Sequence, residues 1–142
     1  MASNFYNGGL QRLLSGNVNY TSGTTKMLVV DNTYTFNVTH EYVSNISGEV
    51  SGTGYARMTL SGKTVTLNST TNVITMDCAD PSMANVSTSN FWAGGIVFDD
   101  TGNDNTSALI GFLDLPETSV DNVTVNIVLP SEGILELTNN VQ

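Results

Sequence analysis

Residues 91–115 read FWAGGIVFDDTGNDNTSALIGFLDL, which is two apolar runs separated by a polar loop. The loop, residues 99–106, is rich in Asp, Asn and Gly. These residue types favour turns because glycine reaches positive φ and Asx side chains bond to nearby backbone amides. The stretch therefore predicts a long β-hairpin from Phe91 to Leu115.

Other short apolar segments follow the same plan and are separated by glycines or by Asn, Asp and Ser clusters. Within Val123–Leu129, apolar and polar residues alternate strictly, as a half-buried antiparallel strand requires. This spacing predicts a sandwich or a barrel, and the choice stays open because both give the same alternation. The predicted strands are Lys26–Val30, Thr33–Val38, Tyr55–Leu60, Thr64–Leu67, Val73–Cys78, Phe91–Phe98, Ala108–Leu115, Val123–Leu129 and Ile134–Leu137.

One short amphipathic helix is predicted near residues 6–15. Apolar residues recur there at helical spacing, and Gly16 follows as a stop signal. Thr39 is expected to cap a second, brief helical turn. With 142 residues, no linker and no repeat, residues 1–142 are expected to form a single, mainly β domain.

The charge of the chain bears on its partners. Thirteen acidic residues against four Lys and Arg give a formal net charge of −9, which repels a phosphate backbone. We therefore expect no direct contact with nucleic acid. No apolar segment approaches the roughly 20 residues of a membrane span, and the start MASNFYNGG lacks a secretory signal pattern. No membrane partner is expected, and the chain is expected to be made in a cytoplasm.

Two residues are candidates for nucleophilic chemistry. Cys78 is the only cysteine, and its acidic neighbours Asp77 and Asp80 would raise a thiol pKa, so a buried structural role is favoured over a reactive one. His40 is the only histidine. It would need a serine and an orienting acid to form a hydrolytic triad, and no G-x-S-x-G motif accompanies it. We predict no catalytic residue.

The sequence motifs give little support to a metal site or a phosphate-binding site. The acidic loop Asp99–Asn105 resembles a calcium loop but lacks the closing Glu, so a solvated hairpin tip is favoured. One Cys and one His cannot make a closed zinc site. Gly62-Lys63-Thr64 matches the end of a phosphate-binding loop, but Arg57 stands where the motif needs its first glycine. We predict no metal and no cofactor.

The single tryptophan, in Asn90-Phe91-Trp92-Ala93, leads into an apolar strand. An aromatic residue in this position is more often part of the core. The alternative is a residue that anchors an interface or stacks on a sugar.

Eight segments set the layout of the chain: Tyr6–Gly16, Lys26–Asp31, Tyr34–Phe36, Thr39–Ile46, Gly54–Arg57, Lys63–Val65, Ala93–Gly102 and Ser107–Asp114. This layout resembles that of a group of small structural proteins encoded among the virion genes of tailed bacteriophages. The resemblance covers most of the chain and contains no catalytic signature.

This resemblance implies a β-rich subunit that coats or joins other virion proteins, as capsid decoration (cement) proteins do, often as homotrimers at three-fold positions of the shell. The implied partners are the major capsid protein or other virion proteins, and the implied location is the virion. A tail, neck or fibre component with a carbohydrate-binding surface is the alternative. A small hydrolase using His40 is the hypothesis from another class.

Overall fold

The computed structural model describes residues 3–139, which form three antiparallel sheets and one α-helix. The predicted class, mainly β and antiparallel with a short N-terminal helix, is confirmed. The helix α1 spans Asn7–Ser15, and a 3₁₀ turn spans Val43–Asn45. The strands are β1 (Ser3–Phe5), β2 (Thr25–Asp31), β3 (Gly52–Thr53), β4 (Met58–Thr59), β5 (Thr64–Asn68), β6 (Val73–Asp77), β7 (Ser82–Thr88), β8 (Trp92–Asp99), β9 (Leu109–Thr118), β10 (Val123–Asn126) and β11 (Leu135–Thr138).

The predicted hairpin is the centre of the largest sheet, whose order is β1-β9-β8-β2-β4. β8 and β9 pair with Ile96 opposite Phe112, and the acidic loop lies between the two strands as predicted. On its other side β8 pairs with β2, starting with Asp99 opposite Thr25.

Both faces of this five-stranded sheet are covered, which explains why β2 is apolar at every position from Met27 to Val30. Met27 and Val29 pack into a cluster that draws on all three sheets. Leu28 and Val30 pack on the opposite face, against aromatic residues of the segment that follows β2. A strand buried on both faces needs no polar alternation.

The strand predicted at Thr33–Val38 is wrong, because this segment is a loop that covers the second face of the sheet. Its two aromatic rings face inward. Tyr34 is 9% exposed, and the ring of Phe36 stacks on Phe112 with centroids 5.3 Å apart. Alternating aromatics therefore arise here from loop packing and not from a pleated strand.

Two three-stranded sheets complete the β structure, with orders β10-β7-β3 and β11-β6-β5. The strand β7 was not predicted, because its apolar residues do not alternate with polar ones. Asn85, within this strand, adopts a positive φ of 54°. The pairing with β10 shifts there, so Met83 and Val86, three residues apart, both pack against the core. A bulge of this kind hides a strand from a period-two pattern.

Several predicted boundaries are also corrected. The segment Tyr55–Leu60 pairs only at Met58–Thr59, and the strand predicted at Val123–Leu129 ends at Asn126, although the residues after it return to the core. The helical turn does not begin at Thr39. It spans Val43–Asn45, and the Asn45 side chain accepts the backbone N–H groups before it.

The helix prediction near residues 6–15 is confirmed. Gly16 ends α1 in the left-handed conformation with φ 77°, and its N–H points to the carbonyls of Arg12 and Leu13. Among residues 3–139, no helix has the length and hydropathy that crossing a bilayer requires.

Candidate functional site

His40 takes part in a chain of hydrogen-bonded rings. Its Nδ1 lies 3.1 Å from the hydroxyl of Tyr34, which lies 2.9 Å from the hydroxyl of the fully buried Tyr6. The observed side-chain partner of the imidazole is thus a tyrosine that is itself tied into the core, where a triad would place a serine. The hydrogen bond between Tyr34 and Tyr6 joins the covering loop to the buried residue between β1 and α1.

Cys78 is 8% exposed, so its predicted burial is confirmed. Burial is the main cause that raises the pKa of the thiol to about 11, and the carboxylates of Asp77 and Asp80 raise it further. A thiol with this pKa stays protonated at neutral pH, and it is the thiolate that attacks electrophiles and binds metals.

Two carboxylates of the acidic loop, those of Asp100 and Asp104, contact cations of the same chain. Asp100 lies 2.6 Å from the amine of Lys26 and also accepts the backbone N–H of Gly102. Asp104 pairs with Arg57. In the part of the chain from Ser3 to Asn139, no three His, Cys, Asp or Glu side chains are grouped so as to hold a metal ion.

Arg57 joins three segments that are distant in the sequence. Its Nε and Nη2 donate to the two carboxylate oxygens of Glu49 at 2.8 and 2.7 Å, and its Nη1 donates to Asp104 at 2.6 Å. The Tyr55 hydroxyl donates to Glu49 as well, and the guanidinium lies 5.6 Å from the centroid of the Phe98 ring. The hydrogen bond from Arg57 lowers the pKa of Asp104.

We expect Arg57→Gln to lower the free energy of unfolding at pH 7 by about 2 kcal/mol, mainly because it leaves the partly buried carboxylate of Glu49 without two hydrogen bonds from the guanidinium. The Asp104 side chain is 49% exposed, so its screened ion pair contributes a smaller part. The folded-state pKa of Asp104 is lowered, so its contribution is complete above its ordinary value of about 3.9 and is lost as the pH falls through the folded value. Urea unfolding should therefore give a smaller difference from the wild type near pH 3.

Arg12→Gln is the matched control for that substitution. The Nη2 of Arg12 lies 3.7 Å from Glu41, whose side chain is 55% exposed, and donates to the hydroxyl of Tyr42 at 2.8 Å. A screened ion pair and one hydrogen bond to a neutral acceptor together contribute about 1 kcal/mol. Equal losses in the two variants, or a loss at Arg57 that does not change with pH, would contradict the assigned role of Arg57.

Lys63, the lysine of the partial phosphate-loop match, is directed back onto its own chain. Its amine donates to the carbonyl of Gly23 and to Thr25 Oγ1, and it lies 5.7 Å from the centroid of the Tyr20 ring. Since Arg12, Lys26 and Arg57 also contact groups of the chain, all four basic side chains have intramolecular partners. The field outside the molecule is set by the acidic excess.

Trp92 lies in the core, as the prediction favoured. It is 3% exposed, its Nε1 donates to Thr88 Oγ1 at 3.0 Å, and its ring meets Tyr55 edge to face. A ring buried in this way presents no free face to a sugar. The preceding residue, Phe91, is 54% exposed.

An exposed apolar surface lies beside α1 and the sheet β11-β6-β5. Opposite residues place Val65 beside Met76, and Leu67 beside Ile74, on one face of that sheet. A groove of about 350 Å³ separates this face from the helix. We call this the α1–β5 surface and define it by four residues with their exposed fractions: Leu14 (74%), Val65 (49%), Leu67 (68%) and Ile74 (36%).

The sequence predicted β5 and the apolar side of α1, but it gave no sign that these residues stay exposed. An amphipathic strand or helix normally turns its apolar side to the core, and only the packing decides whether that side is covered. A contiguous apolar surface rimmed by polar residues is typical of an interaction site.

No family model, curated protein or solved structure matches the chain. Function is therefore inferred from the contacts, burial and charge of the chain itself.

Proposed function

We propose that this chain is a capsid decoration (cement) protein that stabilises the head shell of a tailed bacteriophage through non-covalent contacts. The observation that carries the proposal is the α1–β5 surface, an exposed apolar area on a well-packed acidic β protein. A protein that acts by contact needs a rigid fold and an apolar area to dock. The resemblance of the chain to small virion proteins supplies the class of particle.

The charge supports this proposal. The acidic excess favours a docking face on the shell that is neutral or basic, and it discourages binding to the packaged genome. We propose the virion as the location, after synthesis in the host cytoplasm.

The proposed partners are the major capsid protein and sister copies of the chain. A shell presents many equivalent sites, so weak single contacts are sufficient when copies are linked to one another. The resemblance implies homo-oligomers, with trimers at the three-fold positions.

We expect the purified protein to bind expanded shells of the virus whose genome encodes it and to raise their melting temperature, because a ligand of the assembled state stabilises that state. Differential scanning calorimetry of shells with and without the protein measures the effect. Leu14→Lys should weaken binding, and Val128→Lys is the matched control because Val128 is 68% exposed and lies outside the α1–β5 surface. An unchanged shell melting temperature at saturating protein would contradict the proposal.

The alternative is a component of the tail, neck or fibre. It uses the same kind of contact surface but occupies a few positions in the particle. The burial of Trp92 argues against carbohydrate binding at that residue. Copy number in the particle separates the two functions.

A further inference from the structure

The free edge of β5 lacks the protection that edge strands normally carry. Exposed edge strands are usually short, or they carry charged side chains, proline or bulges. These features prevent the unpaired backbone groups from pairing with strands of other chains. β5 has five exposed residues, no charge, no proline and an unbroken register with β6 from Thr64 opposite Asp77 to Asn68 opposite Val73.

The other sheet-ending strands among residues 3–139 are protected. β1, β3 and β4 have only two or three residues each. β10 is irregular between Val123 and Val125, and β11 carries Glu136. The contrast indicates that the β5 edge is kept open for pairing.

This edge is uncharged and is followed by a hydrogen-bonded turn. Asn68 Oδ1 accepts the backbone N–H groups of Thr70 and Thr71, and Asn72 takes a positive φ of 57°, so the β5–β6 turn has a defined conformation. Between Lys63 and Asp77 the chain has no ionisable residue. Two copies with a net charge of −9 each can approach here with little local repulsion.

We propose that β5 pairs antiparallel with β5 of a second copy, across a two-fold axis at Thr66. The sequence Thr64-Val65-Thr66-Leu67-Asn68 is self-complementary in this register, because Val65 then lies opposite the partner's Leu67 and Leu67 opposite the partner's Val65. The two sheets join into one of six strands. The pairing covers part of the exposed side chains of Val65 and Leu67 in the sheet β11-β6-β5. Two-fold contacts between identical surfaces are the commonest kind in homo-oligomers.

This inference rests on the self-association in the proposed function and makes it specific. It adds a two-fold contact between copies to the three-fold arrangement that the resemblance implies. The tests below use the purified full chain in solution and no shell.

Cross-linking tests the register. Paired residues at the two-fold have Cα atoms about 4.5–5.5 Å apart, within disulfide range, so Thr66→Cys should form a covalent dimer under mild oxidation. Thr64→Cys is the matched control, since in this register it lies about 13 Å along the strand from its own copy. We expect at least about ten times faster cross-linking of Thr66→Cys. The native Cys78 is 8% exposed and does not compete.

Sedimentation tests the contact itself. The wild-type chain should dimerise reversibly, and Leu67→Lys should move the dimerisation midpoint to a several-fold higher protein concentration, because it removes both cross-strand pairs of Val65 with the partner's Leu67, each worth about 0.2–1 kcal/mol. Val128→Lys makes the same charge change at a similarly exposed valine and should leave the midpoint unchanged. Circular dichroism verifies that both variants fold.

A monomer at every concentration up to about 1 mM, or equal cross-linking of Thr64→Cys and Thr66→Cys, would overturn the inference. An oligomer that Leu67→Lys leaves intact would overturn it as well. A dimer with the expected cross-link and no effect on shells upholds the two-fold contact and contradicts only the decoration function.

Discussion

Gly9→Ala should lower the free energy of unfolding by about 3 kcal/mol, although alanine is the better helix former by about 1 kcal/mol. The reason is that α1 packs directly on the backbone of β9. A Cβ at residue 9 would collide with the carbonyl oxygen of Leu109 and lie 2.8 Å from Ile110 Cα. Backbone atoms in the middle of a sheet cannot move aside, so the helix would have to shift. Chemical denaturation measures the loss.

Gly8→Ala is the matched control in the same helical turn. A Cβ there would lie 2.6 Å from Arg12 Nη1, at the far end of a side chain that can shift more easily than backbone, although its Nη2 donates to the Tyr42 hydroxyl. The higher helix propensity of alanine should then determine the effect, and the free energy of unfolding should be unchanged within about 0.5 kcal/mol or rise. Similar effects of the two substitutions would show that α1 does not rest on β9 as described.

Trp92→Ala should destabilise the fold by about 3–5 kcal/mol. The substitution removes a ring that is 3% exposed, its edge-to-face contact with Tyr55 and the hydrogen bond to Thr88. The surrounding residues come from separate strands and can fill the space only in part. The shift of the urea midpoint, with the slope of the transition checked for constancy, gives the value.

Phe91→Ala is the control for that prediction, because it removes the adjacent aromatic ring, which is 54% exposed. Its effect should stay within about 0.5 kcal/mol. If Phe91→Ala were the more damaging substitution, the placement of Trp92 in the core and of Phe91 at the surface would be contradicted.

Local chemistry was sufficient to predict the central hairpin and the helix. The loop at 99–106 has turn residues between apolar runs, and α1 has a helical apolar period closed by Gly16. It was not sufficient for Thr33–Val38, because aromatics that alternate in a strand and aromatics that point down from a covering loop give the same pattern. β7 was missed because its bulge at Asn85 breaks the alternation.

The candidate site was less accessible to prediction because it depends on pairings across the chain. β5 ends its sheet because no other strand within residues 3–139 pairs with its outer side, while β6 pairs with both β5 and β11, with Met76 opposite Leu135. Arg57 meets Asp104 across 47 residues. Composition did predict the acidic exterior, and Cys78 was correctly placed in the interior from its acidic and apolar neighbours.

The most direct test of the central claim, that this chain works as a repeated contact module on a shell, is its copy number in the purified particle. Quantitative mass spectrometry against the major capsid protein gives that number. We expect on the order of hundreds of copies, because the symmetry of a shell repeats every docking site. About a dozen copies or fewer would place the chain at the neck or tail, and its absence from the particle would contradict the account altogether.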